Sequence, residues 1–106
     1  MSFPGFLLTS DIHQDVAQFR DTPNAMLLDV RGPDEFAEGH IPGSVNIPLQ
    51  VLPTKEGLPE NPETPIFAYC RSGGRSRRAA AFLEKIGYTN VKNIGGIMSW
   101  QGELEK

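Results

Sequence analysis

The residues of this sequence best suited to chemistry form one short run around its only cysteine. The run consists of Cys70, Arg71, Ser72, Gly73, Gly74, Arg75 and Ser76. It follows an apolar segment, residues 66–69, and precedes a segment with helical periodicity. Backbone N–H groups in such a loop, together with the dipole of the following helix, favour an anion. A thiol placed there is expected to lose its proton readily, and the thiolate is the nucleophilic form of cysteine.

Each of these features also has a purely structural interpretation. A lone cysteine usually behaves as a small buried hydrophobe, and a glycine pair between a strand and a helix usually makes only a turn. The combination favours chemistry, because a structural cysteine has no use for two flanking arginines, Arg71 and Arg75. It also has no use for a loop able to direct several N–H groups at one atom. We therefore interpret the run as the site of a reactive sulfur.

Three motifs, in order along most of the chain, resemble those of the rhodanese-like sulfurtransferases. The first comprises LDVR, EF and GHIPGSVNIP within residues 28–48. The second is the loop CRSGGRS at residues 70–76, which resembles the active-site loop of that family. The third, at residues 95–100, is GGI followed by a tryptophan. The resemblance implies one rhodanese-like domain, and we expect it to span residues 1–106.

The resemblance also implies a double-displacement reaction at Cys70. The thiolate attacks the sulfane sulfur of a small-molecule donor such as thiosulfate and leaves a persulfide, from which cyanide or a thiol removes the outer sulfur. A sulfur-accepting protein is a further candidate partner. The substrate-binding and persulfide-stabilising residues are then expected to be Arg71, Ser72, Gly73, Gly74, Arg75 and Ser76. Arg71 is expected to meet the sulfonate end of the donor, whereas Arg75 either stabilises charge or braces the loop.

Two other functions stay open at this stage. The first is a cysteine phosphatase or arsenate reductase. The active-site loops of these enzymes resemble the pattern Cys-x5-Arg, commonly with a histidine before the cysteine. Here four residues separate Cys70 from Arg75, and Tyr69 precedes the cysteine. The shorter loop makes a smaller cradle, better matched to one sulfur than to a tetrahedral oxyanion. The other alternative is a non-catalytic binding or regulatory module of the same fold, which would be expected to lack the cysteine.

Four residues outside the loop are predicted to support it. Asp29 and Arg31 lie at the end of an apolar strand, and a structural ion pair is expected in which Arg31 bonds to Glu35 or Asp29. His40 precedes Ile-Pro-Gly and is interpreted as a hydrogen-bonded organiser of that loop. No metal and no cofactor are predicted, because neither histidine pairs with other ligands at metal spacing. A single cysteine also excludes a multi-cysteine zinc site.

Length and composition are those of an ordinary globular domain. The chain has 106 residues, of which 39% are hydrophobic and 22% are charged. A net charge of −3 predicts neither a nucleic-acid nor a membrane partner. Four of the six arginines nevertheless fall within residues 71–78, which predicts a positive rim beside the loop. The first residues lack the pattern of a secretory signal, so a cytoplasmic location is expected.

Apolar runs alternate with helical segments, which predicts an α/β fold. Strands are expected at residues 6–8, 25–30, 44–47, 66–69 and 91–94. Helical segments are expected from Thr9 or Ser10 to about Arg20, from Pro33 to a stop at Gly39, and over residues 49–52, 76–86 and 97–104. This order implies a mainly parallel five-stranded sheet with helices on both faces. Ligands of such sheets bind at the carboxyl ends of the strands, where Cys70 falls.

Overall fold

A parallel sheet carries helices on both faces in the computed structural model, which describes residues 11–106. The elements are α1 (Ile12–Asp21), β1 (Met26–Asp29), α2 (Pro33–Glu38), β2 (Ser44–Asn46), β3 (Ile66–Cys70), α3 (Gly74–Lys85) and β4 (Val91–Gly96). The four strands lie in the order β2-β1-β3-β4, and every pairing is parallel. The predicted α/β architecture is confirmed. The fifth predicted strand, residues 6–8, lies outside the described residues.

Strand β3 is buried at every residue, as its uninterrupted apolar sequence requires. Its side chains alternate between two hydrophobic cores, because successive residues of a strand point to opposite faces. Ile66, Ala68 and Cys70 belong to the core that includes buried residues of α3. Phe67 and Tyr69 belong to the core that includes buried residues of α1. The cysteine therefore faces the side of the sheet on which α3 packs.

The first helix begins later than the sequence predicted. Asp11 was expected within the first turn of a helix capped by Thr9 or Ser10, but it is itself the N-cap. Its Oδ1 accepts a hydrogen bond from the N–H of Gln14 at 3.0 Å, which satisfies one of the free donors of the first turn. Thr9 and Ser10 lie outside the described residues.

The connection between β2 and β3 is more helical than predicted. A 3₁₀ helix spans Leu49–Thr54, where a single turn was expected at residues 49–52. Lys55 ends it with a left-handed backbone, φ +65°, and its N–H donates to the carbonyl of Leu52 at 2.9 Å. No helix within residues 11–106 is long and apolar enough to cross a membrane.

The prediction of a helix over residues 97–104 is wrong. The chain there makes only a 3₁₀ turn at Ile97–Ser99. Beyond that turn the backbone bonds to another part of the molecule, since His40 and Glu105 donate N–H groups to each other's carbonyls, both at 2.8 Å. Leu104 is 52% exposed. The apolar residues here have helical spacing, but the segment does not form a helix, because its backbone makes hydrogen bonds to a distant part of the chain instead.

Candidate active site

The candidate site is built at the carboxyl end of β3, where Cys70 is the last residue of the strand. Three residues suffice to join it to α3, because Gly73 adopts φ +107°, a left-handed conformation that favours glycine. Gly73 is the N-cap, so the helix starts at Gly74, two residues before the start predicted at Ser76. The tight turn directs N–H groups at the start of the helix back towards the thiol.

The Cys70 sulfur is buried against donors from the loop and the helix, and the residue is only 1% exposed. The N–H of Gly73 donates to Sγ at 3.0 Å, and the hydroxyl oxygen of Ser76 lies 3.5 Å from Sγ. Burial by itself raises the pKa of the Cys70 thiol. The Ser76 hydroxyl and the N–H groups of Ser76, Gly73 and Ser72 outweigh burial, so the pKa is lowered relative to a free thiol. The arrangement therefore favours the thiolate.

Asn93 of β4 contacts the residues that supply these donors, although no pattern in the sequence selected it. Its Oδ1 lies 2.7 Å from the hydroxyl oxygen of the buried Ser76 and accepts the N–H of Gly95 at 3.0 Å. Its Nδ2 donates to the carbonyl of Gly73 at 3.3 Å. A single amide thus contacts the strand, the loop and the helix. A lone asparagine in a strand carries no sequence signal, so only the tertiary structure reveals it.

The closing sequence motif lies directly against the loop. Gly96 pairs with Cys70 in the sheet, and the N–H of Met98 donates to the carbonyl of Arg71 at 3.1 Å. A Cβ added at Gly96 would lie 2.5 Å from the carbonyl carbon of Arg71 and 2.5 Å from the Cα of Ser72. Because these are backbone atoms, no side-chain rotation relieves the clash. Only glycine allows β4 and the loop to approach this closely.

Arg75 is engaged by a carboxylate on a neighbouring helix. Its two terminal nitrogens donate to Oε1 and Oε2 of Glu35 at 2.8 and 3.0 Å. Oε1 of Glu35 also accepts the N–H of Gly32 at 2.9 Å. This bidentate pair links the first turn of α3 to the first turn of α2. The charge of Arg75 also interacts with Cys70, so both roles considered for this arginine stay predictions.

The Glu35–Arg75 pair predicts a specific loss of stability in acid. Hydrogen bonds from Arg75 are the largest cause that lowers the pKa of Glu35 from 4.5 to about 2. A carboxylate with a depressed pKa contributes stability above its ordinary pKa, and this contribution is lost as the pH falls through the range from about 4.5 to 2. Both side chains are about one-third exposed, so solvent screening limits the contribution to about 1 kcal/mol.

Denaturant titrations of the wild type and of Glu35→Gln between pH 7 and pH 2 measure this contribution. We expect the wild type to be more stable at pH 7 and the difference to shrink steadily below about pH 4.5. Losses common to both proteins cancel in the difference. A stability difference that is the same at every pH would mean that the ionisation of Glu35 does not contribute to it.

Asp29 and Arg31 form a buried fork beside the same end of the sheet. Nε of Arg31 donates to Oδ1 of Asp29 at 3.0 Å, and its terminal nitrogen donates to Oδ2 at 2.7 Å. The same terminal nitrogen also donates to the carbonyl of Gly39 at 2.8 Å. Of the two partners considered for Arg31, the structure selects Asp29. The pair joins the end of β1 to the segment that directly follows α2.

His40 is held by the helix that precedes it. Its Nδ1 lies 2.9 Å from the carbonyl oxygen of Phe36, and its ring stacks on the Phe36 ring with centroids 3.6 Å apart. Its Nε2 lies 3.7 Å from a carboxylate oxygen of Glu105. These contacts lie among α2 and the C-terminal segment, where they order the loop after α2. No contact joins the imidazole to Cys70.

Comparison with known proteins identifies the family. The model of the rhodanese-like domain matches residues 13–103. The chain belongs to this family. A sulfurtransferase of Allochromatium vinosum is 40% identical over 82 residues, which cover 76% of this chain and 75% of that protein. Thiosulfate sulfurtransferase PspE of Escherichia coli is 35% identical over 72 residues, covering 66% of this chain and 68% of that protein.

A solved rhodanese-like structure agrees with this assignment. The crystal structure of a rhodanese-like domain protein from Staphylococcus aureus superposes with a TM-score of 0.76 at 26% identity, covering 92% of this chain and 95% of that one. The resemblance inferred from the sequence is confirmed. This rhodanese-like domain is therefore homologous to single-domain sulfurtransferases.

The predicted site residues of the rhodanese-like domain do not all lie at the sulfur. Gly73 and Ser76 contact the Cys70 sulfur directly, whereas Arg75 pairs with Glu35. Asp29, Arg31 and His40 instead make contacts that hold the segment at the end of α2 within the same molecule. Arg71 is exposed, and its guanidinium forms no hydrogen bond or ion pair within residues 11–106.

Proposed function

We propose that this rhodanese-like domain is a thiosulfate sulfurtransferase that carries sulfur as a persulfide on Cys70. One observation carries the proposal: a buried cysteine sulfur that accepts the N–H of Gly73 at 3.0 Å and lies 3.5 Å from the Ser76 hydroxyl. These donors lower the thiol pKa despite burial. The sulfurtransferase names of the relatives from A. vinosum and E. coli support the same activity.

In the first step the Cys70 thiolate attacks the outer, sulfane sulfur of thiosulfate. A bond forms between Sγ and that sulfur, while the sulfur–sulfur bond of thiosulfate breaks and sulfite leaves with the electron pair. The product is a persulfide whose negative charge rests on the outer sulfur. The N–H groups held around Cys70 by the loop and the start of α3 are then close enough to stabilise this charge without reorganising, which is the usual basis of catalysis at an anion hole.

In the second step a thiophilic acceptor attacks the outer sulfur of the persulfide. The Sγ–S bond breaks, its electron pair returns to Sγ, and the donor set stabilises the regenerated Cys70 thiolate. With cyanide the product is thiocyanate, and with a thiolate it is the persulfide of that thiol. No cofactor or metal is needed for either step. A thiol carried by another protein is chemically equivalent to a small thiol here.

Arg71 is the residue we assign to the donor. It is exposed next to Cys70, and its side chain has no partner within residues 11–106, so its charge is available to an incoming anion. Its carbonyl is held by the N–H of Met98, which fixes the backbone from which the side chain projects. Arg75 is engaged by Glu35 and braces the loop. A cytoplasmic location stays a prediction.

Mass spectrometry of the intact protein tests the proposal directly. After incubation with thiosulfate we expect the mass to rise by one sulfur atom, and cyanide should remove the addition. The Cys70→Ser variant, treated identically, should gain nothing. A folded wild-type protein whose mass stays unchanged would overturn the proposal and favour the non-catalytic binding module. The four residues between Cys70 and Arg75, one fewer than in a Cys-x5-Arg loop, favour sulfur transfer over the phosphatase and arsenate reductase alternative, and the names of the relatives support the same choice.

A further inference from the structure

The hydroxyl of Ser76 has more acceptors than it has protons. Four acceptor atoms surround its oxygen: Oδ1 of Asn93 at 2.7 Å, the carbonyl of Gly73 at 3.2 Å, the carbonyl of Gly95 at 3.4 Å and Sγ of Cys70 at 3.5 Å. A serine hydroxyl carries a single proton and serves one good acceptor at a time. The Asn93 contact has the ordinary length of a strong O–H···O bond. The sulfur is therefore in competition with Asn93 for this donor.

The neighbours of Asn93 determine which way its amide faces. Oδ1 lies 3.0 Å from the N–H of Gly95, which requires an acceptor at that position. Nδ2 lies 3.3 Å from the carbonyl of Gly73, which requires a donor. A flipped amide would place two donors together and two acceptors together. The oxygen therefore faces Ser76, and it can only accept the hydroxyl proton.

We propose that Asn93 is a positioning residue that withholds the Ser76 proton from Cys70 while the sulfur is neutral. When the sulfur carries negative charge, the hydroxyl turns from Oδ1 to Sγ. After the charge moves to the outer sulfur of a persulfide, the Ser76 hydroxyl turns back and donates to Oδ1 of Asn93 again. The proposal rests on the proposed function only in that Cys70 works as a thiolate. The acidity of the thiol can be measured without any sulfur transfer.

The competition has a measurable consequence for the acidity of Cys70. Removing Oδ1 by Asn93→Ala frees the hydroxyl to serve the sulfur at all times. A hydrogen bond to a charged group is strong enough to move the pH midpoint of thiol ionisation down by roughly one unit. Ser76→Ala removes the donor itself and should move the midpoint up. In the double variant the loss of Asn93 should have no further effect, because no hydroxyl is left to redirect.

Other charged groups near the sulfur come from several elements, and the test leaves them unchanged. Arg71 lies in the loop, and Arg75 on α3 is paired with Glu35 on α2. The Asp29–Arg31 pair lies at the carboxyl end of β1. Asn93→Ala and Ser76→Ala alter no charge. Asn90→Ala is a matched control, since this exposed asparagine lies just before β4 and its side chain forms no hydrogen bond within residues 11–106.

The experiment is the rate of Cys70 alkylation by iodoacetamide as a function of pH, for the wild type and all four variants. Circular dichroism confirms that each variant is folded. We expect the Asn93→Ala midpoint below that of the wild type, the Asn90→Ala midpoint unchanged, and identical midpoints for Ser76→Ala and the double variant. If Asn93→Ala leaves the midpoint unchanged or raises it, the proposal is overturned. The same holds if Asn93→Ala shifts the midpoint equally with and without the Ser76 hydroxyl. Asn93→Leu, which keeps the bulk of the side chain, replaces Asn93→Ala if the latter does not fold.

Discussion

Cys70→Ser should abolish sulfur transfer and leave the fold intact. Serine is close to cysteine in size, and its oxygen can accept the same N–H of Gly73 that the sulfur accepts. A hydroxyl, however, is far less acidic than a thiol and is a poor nucleophile towards sulfur. Loss of the nucleophile from a site whose groups act together typically costs several orders of magnitude, and we expect a fall in turnover of at least about 10³-fold.

Thiocyanate formation from thiosulfate and cyanide measures the turnover, and a denaturant titration measures the free energy of unfolding. The latter should change by only about 1 kcal/mol, since the buried group keeps its hydrogen-bond partner. Turnover in Cys70→Ser near the wild-type rate would mean that sulfur reaches cyanide without the thiol. A variant that fails to fold would leave the mass change of the wild type as the deciding measurement.

Gly96→Ala should disable the site from the neighbouring strand. The new Cβ would lie 2.5 Å from backbone atoms of Arg71 and Ser72, so the loop has to move. Overpacking of this kind typically lowers the free energy of unfolding by about 1–3 kcal/mol. Displacing the N–H of Gly73 from the sulfur removes a well-aimed donor, which costs roughly 10²–10³-fold in turnover.

Gly74→Ala is the matched control for the effect on stability. A Cβ at Gly74 meets no atom within 4 Å, and its backbone is helical. Alanine should therefore raise the free energy of unfolding by about 0.4–1 kcal/mol, because it restricts the unfolded chain more than glycine does. Equal stabilities for Gly96→Ala and the wild type, together with unchanged turnover, would show that the contact between β4 and the loop is not required.

Local patterns predicted the parts of this protein that depend on neighbours in the sequence. The apolar run at residues 66–69 predicted a strand, and the structure has that strand with every residue buried. Helical periodicity after the glycine pair predicted α3, and its position predicted a thiol beside a helix N-terminus. The start of that helix was misplaced by two residues, because the left-handed backbone of Gly73 was not visible in the sequence.

The same reasoning failed where the backbone found partners far along the chain. Residues 97–104 have helical spacing, yet the segment pairs with His40 through Glu105 and leaves Leu104 exposed. Periodicity reports which side chains can share a face, and it does not report which hydrogen bonds the backbone makes. Asp11 was likewise placed one or two residues too far inside its helix, because several residues that can cap a helix lie together there.

The sequence by itself determined the family and the α/β architecture and predicted the nucleophile, because motif order, apolar runs and a single thiol are properties of the chain. Only the tertiary structure decided how the site is held. The pairing of Arg75 with Glu35 crosses 40 residues, and the bond from Ser76 to Asn93 crosses 17. Such contacts depend on how β4, α2 and α3 pack around the loop. Sequence spacing does not encode that geometry, so the competition between Cys70 and Asn93 for the Ser76 hydroxyl appears only in the folded protein.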